Sequence, residues 1–145
     1  MDAHRRHSGG TLAAISDGIV QLHTRFYGKG PSRAKTHLID DTIVCILWNG
    51  FTTVEQTLIA EDEADTVADF RHTFQQTMQD QFTSVIEEAT GRTVIAYMSQ
   101  VHVAPNVAVE LFLLESGTGE SGTAEKAGED AEKAGEDAAG LIQPA

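Results

Sequence analysis

The chain has 145 residues, 41% of them apolar and 6% aromatic, and a formal charge of −12. That is chain enough for one core rather than two, and the excess of carboxylates argues against nucleic acid or an anionic membrane surface as an electrostatic partner. The longest apolar run, residues 43–48, falls far short of the roughly 20 residues a bilayer-spanning helix needs, so direct membrane insertion is not expected.

Residues 1–9 mix charge with Ser and Gly and contain no apolar segment of signal-peptide type. A disordered start and a cytoplasmic location are therefore expected. Leu12, Ile15, Ile19, Leu22 and Phe26 then recur at spacings of three and four, which predicts one amphipathic helix. Gly28 stops it and Gly30-Pro31 turns the chain. Two runs rich in Ile, Val, Thr and Leu, 33–39 and 42–48, flank Asp40-Asp41 and read as a hairpin. The second is apolar on both faces, as in a central strand. It holds Cys45, the single cysteine of the chain, which can form no internal disulfide and reads as a small core residue.

Thr52-Thr53-Val54-Glu55 has capping-box spacing and opens a short helix to about Ile59. From the acidic cluster Glu61-Asp62-Glu63, the positions Val67, Phe70, Phe74, Met78, Phe82, Val85 and Ala89 predict one long central helix ending at Gly91. Residues 93–100 and 107–115 read as a second hairpin around Ala104-Pro105-Asn106. No strand–helix–strand alternation is present, which disfavours a parallel sheet. The expected fold is α+β: a four-stranded antiparallel sheet of two hairpins, with the N-terminal helix and the long helix packed on one face, over residues 10–115.

The remainder, 116–145, is an acidic low-complexity segment with two copies of Glu-Lys-Ala-Gly-Glu-Asp-Ala. Residues 1–115 carry 15 acidic and 8 basic side chains and residues 116–145 carry 7 and 2, giving −7 and −5. An alanine seam interrupted by glycines offers too little apolar surface to hold a helix, so a disordered, solvated tail is expected.

No enzyme active site is legible. Cys45 lies inside an apolar strand, where burial raises a thiol pKa, and there is no Gly-x-Ser-x-Gly elbow. The six histidines, His4, His7, His23, His37, His72 and His102, follow no metal-ligand spacing, so neither a metal nor a cofactor is expected. Asp40-Asp41 could be a carboxylate pair for a hard cation, but Asp is also a common turn residue, and the turn is the stronger reading. The most suggestive stretch is basic: Arg25, Lys29, Arg33 and Lys35 fall within eleven residues that hold no acid, around Gly28 and Gly30. Glycines let backbone N–H groups approach an anion and cations would hold it. The order of helix, glycines and strand is the reverse of a Walker A loop or a dinucleotide fingerprint, and a helix stop with solvated cations is the plainer reading.

Several segments together resemble the MpsC-like family, whose description is a Na+-translocating membrane potential-generating system and which is otherwise a domain of unknown function. They are Tyr27-Gly28-Lys29-Gly30-Pro31, Leu38-Ile39-Asp40-Asp41, Gly50-Phe51-Thr52-Thr53-Val54-Glu55-Gln56, Val85-Ile86-Glu87-Glu88-Ala89-Thr90-Gly91-Arg92 and Val109-Glu110-Leu111-Phe112. The likeness covers about residues 10–115. It implies a soluble, non-catalytic accessory or regulatory protein with a protein partner, a membrane complex among the options, and supplies no catalytic residues. The alternative is a small-anion or nucleotide-binding regulator using Arg25, Gly28, Lys29, Gly30, Arg33 and Lys35. A homo-oligomer stays open on either reading.

Overall fold

The structure is a computed structural model; it describes residues 2–116, with side chains from residue 9. The expected tail, apart from Ser116, lies outside the described residues. In chain order the elements are α1 (Asp2–Tyr27), β1 (Arg33–Ile39), β2 (Thr42–Trp48), α2 (Thr53–Ala60), α3 (Ala64–Thr77), α4 (Gln79–Thr90), β3 (Val94–His102) and β4 (Val107–Leu114). The two hairpins join as an antiparallel sheet of order β1-β2-β4-β3. The α+β class and the sheet of two hairpins therefore stand as expected.

The helical backbone of α1 starts at Asp2, ahead of its apolar stripe. One helical expectation changes. The long central helix is two helices, broken at Met78 with φ −95° and ψ 12°. No Gly or Pro marks the break. The backbone bonding itself changes there: Met78 N–H still donates to Phe74 O, and Gln81 N–H donates to Met78 O in a tighter turn.

The break rotates the buried stripe. Val67, Arg71 and Gln75 are the buried residues of α3, and Phe82 and Ile86 those of α4, whereas Phe70 is 51% exposed. The core is formed by Ile15 and Ile19 of α1, Phe82 and Ile86 of α4, and the inward residues of the central strands: Ile43, Cys45, Leu47, Phe112 and Leu114. Cys45 is thus core, as expected. The helix layer covers this one face.

Gly18 marks where α1 and α4 come closest. A Cβ there would lie 2.7 Å from Val85 Cγ1, and a valine cannot swing aside as a long side chain can. Gly18→Ala gains up to about 1 kcal/mol in helix propensity, but overpacking costs about 1–3 kcal/mol. A net loss of up to about 2 kcal/mol is expected in urea unfolding, and Val85→Ala in the same chain should restore part of it.

Candidate functional site

Behind the core lies a polar network that draws on four elements. Glu110 of β4 is fully buried, and its Oε2 sits 2.6 Å from the Tyr97 hydroxyl of β3. The same hydroxyl is 2.9 Å from Gln75 Oε1 of α3; its single hydrogen can serve only one of these oxygens at a time. The Gln75 amide nitrogen donates to the Tyr27 hydroxyl at 3.1 Å and faces His23 Nε2 at 3.3 Å. His23 Nδ1 lies 2.9 Å from Ile19 O. A carbonyl only accepts, so this nitrogen carries the hydrogen. Glu110 Oε1, 3.5 Å from His23 Nε2, has no hydrogen-bond partner among the described residues.

Beside this network is a buried ion pair. Arg71 Nε and Nη2 donate to Glu55 at 2.5 and 2.6 Å, and Nη2 also donates to Gly50 O at 2.9 Å. The guanidinium lies 3.7 Å from the centre of the Tyr27 ring. Glu55 meanwhile closes the expected capping box with Thr52, so one carboxylate caps α2 and anchors α3. Burial alone would raise the Glu55 pKa, but the Arg71 hydrogen bonds, the Thr52 backbone N–H and the Arg71 charge outweigh it and hold it below the ordinary value. A depressed carboxylate contributes stability that is complete above its unfolded pKa and lost as pH falls through its folded one. Melting temperature should therefore drop below about pH 4.5, and the gap between the native chain and Glu55→Gln should narrow over that range.

The phenols and the thiol are poor reagents at neutral pH. Burial, then the Glu110 charge, pushes the Tyr97 hydroxyl far above the ordinary phenol range. Tyr27 is raised to about 12 by burial, with Arg71 opposing, and burial raises Cys45 to about 11. The network pins α1, α3, β3 and β4 to one another.

The residues singled out in the basic segment do not converge. Gly28, with φ +79°, ends α1, and Gly30 packs so close that a Cβ would meet Thr24 Oγ1 at 2.2 Å. Lys29 donates to Phe51 O at 3.0 Å, which ties the turn to the start of α2. Arg25 lines a hollow with Gln21 and Glu88 on the helix layer. Arg33 stacks over Trp48, 5.3 Å from its ring centre, and Lys35 lies two residues along the same strand. Of the Asp40-Asp41 turn, Asp40 adopts φ +54° and Asp41 accepts from Arg92 at 2.5 Å.

Arg33 and Lys35 belong to a different surface, the face of the sheet opposite the helices. Its rungs read Arg33–Trp48–Val107–His102, Lys35–Ile46–Val109–Gln100, His37–Val44–Leu111–Met98 and Ile39–Thr42–Leu113–Ala96. None of these positions is acidic, in a chain of 22 Asp and Glu. The middle is aliphatic and half-buried, Met98 and Ile39 are 53% and 61% exposed, and the cations sit along β1.

Fold and interior thus define a helix-backed antiparallel α+β domain with a pinned polar core and an open, acid-free sheet face. The chain belongs to the MpsC family, described as "Na+-translocating membrane potential-generating system (MpsC)", whose model matches residues 8–116. It is also similar to the uncharacterised protein YrhF of Bacillus subtilis (strain 168), at 24% identity over 103 residues, 70% of this chain and 84% of that one. No solved structure matches. No described helix is long and apolar enough to cross a membrane, and no cluster of metal-binding side chains occurs among the described residues.

Proposed function

We propose that this protein is a non-catalytic accessory or regulatory subunit that docks a partner protein on the helix-free face of its sheet. The family description points to a component of a Na+-translocating, membrane potential-generating system as that partner. The observation that supports the reading most is the missing negative charge: four rungs of an antiparallel sheet without one carboxylate, on a chain of net charge −12. A sheet face turned to water is normally polar, and a contiguous apolar patch with a polar rim is the mark of an interaction surface.

Affinity capture from the source cells with the full chain and with Ile46→Lys tests it. Subunits of an ion-translocating complex should come down with the native chain and be lost with the variant; equal recovery by both would contradict the reading. The competing reading is small-anion or nucleotide binding by the basic segment. In its favour, none of Arg25, Lys29, Arg33 and Lys35 is in a salt bridge among the described residues. It requires phosphates or nucleotides to raise the melting temperature, and that rise to vanish in a Lys29→Ala, Arg33→Ala chain.

A further inference from the structure

The sheet has two edges, and they are treated differently. On β1 the strand carries Arg33, Lys35 and His37, the kind of charge that blunts an edge against pairing. On β3 the sequence is Val-Ile-Ala-Tyr-Met-Ser-Gln-Val-His, nine residues, the longest strand of the sheet, with no Lys, Arg, Asp, Glu or Pro. Nothing pairs with its outer side, and no backbone hydrogen bond joins residues 95–102 to anything but β4 among the described residues. Beyond the irregularity between Val94 and Ala96, alternate N–H and C=O groups along that edge are thus without a protein partner among the described residues.

A groove runs beside this edge. Two hollows of about 300 and 190 Å3 lie between α3 and β3 and share His72, Ser99 and Gln100 in their walls. One side carries exposed polar side chains, His72 and Gln76 of α3 and Gln79 at the start of α4. The floor is continuous with the sheet face through Met98, Val109 and Leu111. Behind it stand Gln75 and Tyr97, held by the buried network, so the wall is rigid where it meets the strand.

We infer that this groove takes an extended segment of a partner protein as a fifth strand on β3. The unpaired backbone groups supply the affinity, as in strand addition generally, and pockets for alternate side chains supply the selectivity. Apolar side chains of the segment would turn to Met98 and Leu111 and polar ones to the glutamines of α3. The inference rests on the docking reading above but names a different surface, the edge rather than the face.

The test uses a phage-displayed library of random nonapeptides selected against the full chain, followed by synthetic peptides N-methylated one residue at a time. Methylation should cost tenfold or more in affinity at every second position and little between, because only alternate N–H groups face β3. Gln76→Trp, which fills the groove from an exposed position, should cost tenfold or more, with Gln79→Trp as a second variant should the first not fold. Ile46→Lys, on the open face, should leave peptide binding unchanged. Failure to select any peptide, uniform tolerance of N-methylation, or binding that survives both tryptophans would overturn the inference. Loss of peptide binding in Ile46→Lys alone would overturn it in favour of the face.

Discussion

Replacing Arg71 with alanine should cost about 3–5 kcal/mol, the range for removing one partner of a buried ion pair. Arg71 is 3% exposed and Glu55 5%, so without the guanidinium the carboxylate is left in the interior with only the Thr52 backbone to satisfy it. Three other contacts go at once: the bond to Gly50 O and the guanidinium's approaches to the Tyr27 and Phe51 rings. For a domain of this size the loss corresponds to a fall in melting temperature of roughly 12–25 °C. Arg71→Met with Glu55→Leu should recover most of it, since the penalty lies in the stranded charge more than in the missing attraction. A loss below about 1 kcal/mol in urea unfolding would mean that the pair is solvated rather than sealed.

Phe82→Ala should cost a comparable 3–5 kcal/mol. Phe82 is fully buried; its ring meets His23 edge-on at 5.3 Å and stacks with Tyr97 at 6.0 Å, so the cavity would open between the apolar core and the polar network. The informative control is Phe70→Ala. Sequence periodicity places both phenylalanines on one stripe, whereas the structure leaves Phe70 half exposed against Phe74. A loss below about 1 kcal/mol is expected there, read as a shift in urea midpoint at unchanged slope. Equal losses at the two positions would restore the single long helix.

The contrast shows which parts of this molecule were legible. Hairpins, the capping box at Thr52 and the stop at Gly91 are local signals, each carried by a few adjacent residues, and they come out as read. The break at Met78 has no such mark: neither Gly nor Pro stands there, and Thr77 makes the same hydroxyl bond to the carbonyl four residues back that Thr24 and Ser84 make within unbroken helix. With the break unseen, the stripe through Phe70 and Phe74 looks continuous with Phe82, while the buried set passes through Arg71 and Gln75.

The polar interior was hidden for a related reason. His23, Gln75, Tyr97 and Glu110 come from four elements with separations of up to 52 residues between bonded partners, so no spacing rule could join them. One signal was available: Glu110 is the lone charge inside the apolar run 107–114, and a lone carboxylate in a central strand calls for a buried partner. The basic segment gave the opposite lesson. Its cations are close in sequence but point to three places, and only Arg33 and Lys35 share a surface. That surface needed the strand register, since whether a residue faces helix or solvent changes with a shift of one position.

The central claim is that the open sheet face meets the partner. Site-specific photo-crosslinking in the source cells tests it most directly, with the reactive side chain placed in turn at Ile46 and Leu111 on the face, at Glu88 on the helix layer, and at Lys29 in the basic segment. The account predicts that Ile46 and Leu111 crosslink to one common protein while Glu88 and Lys29 do not. Crosslinks to that protein from Glu88 or Lys29, with none from the two face positions, would contradict it.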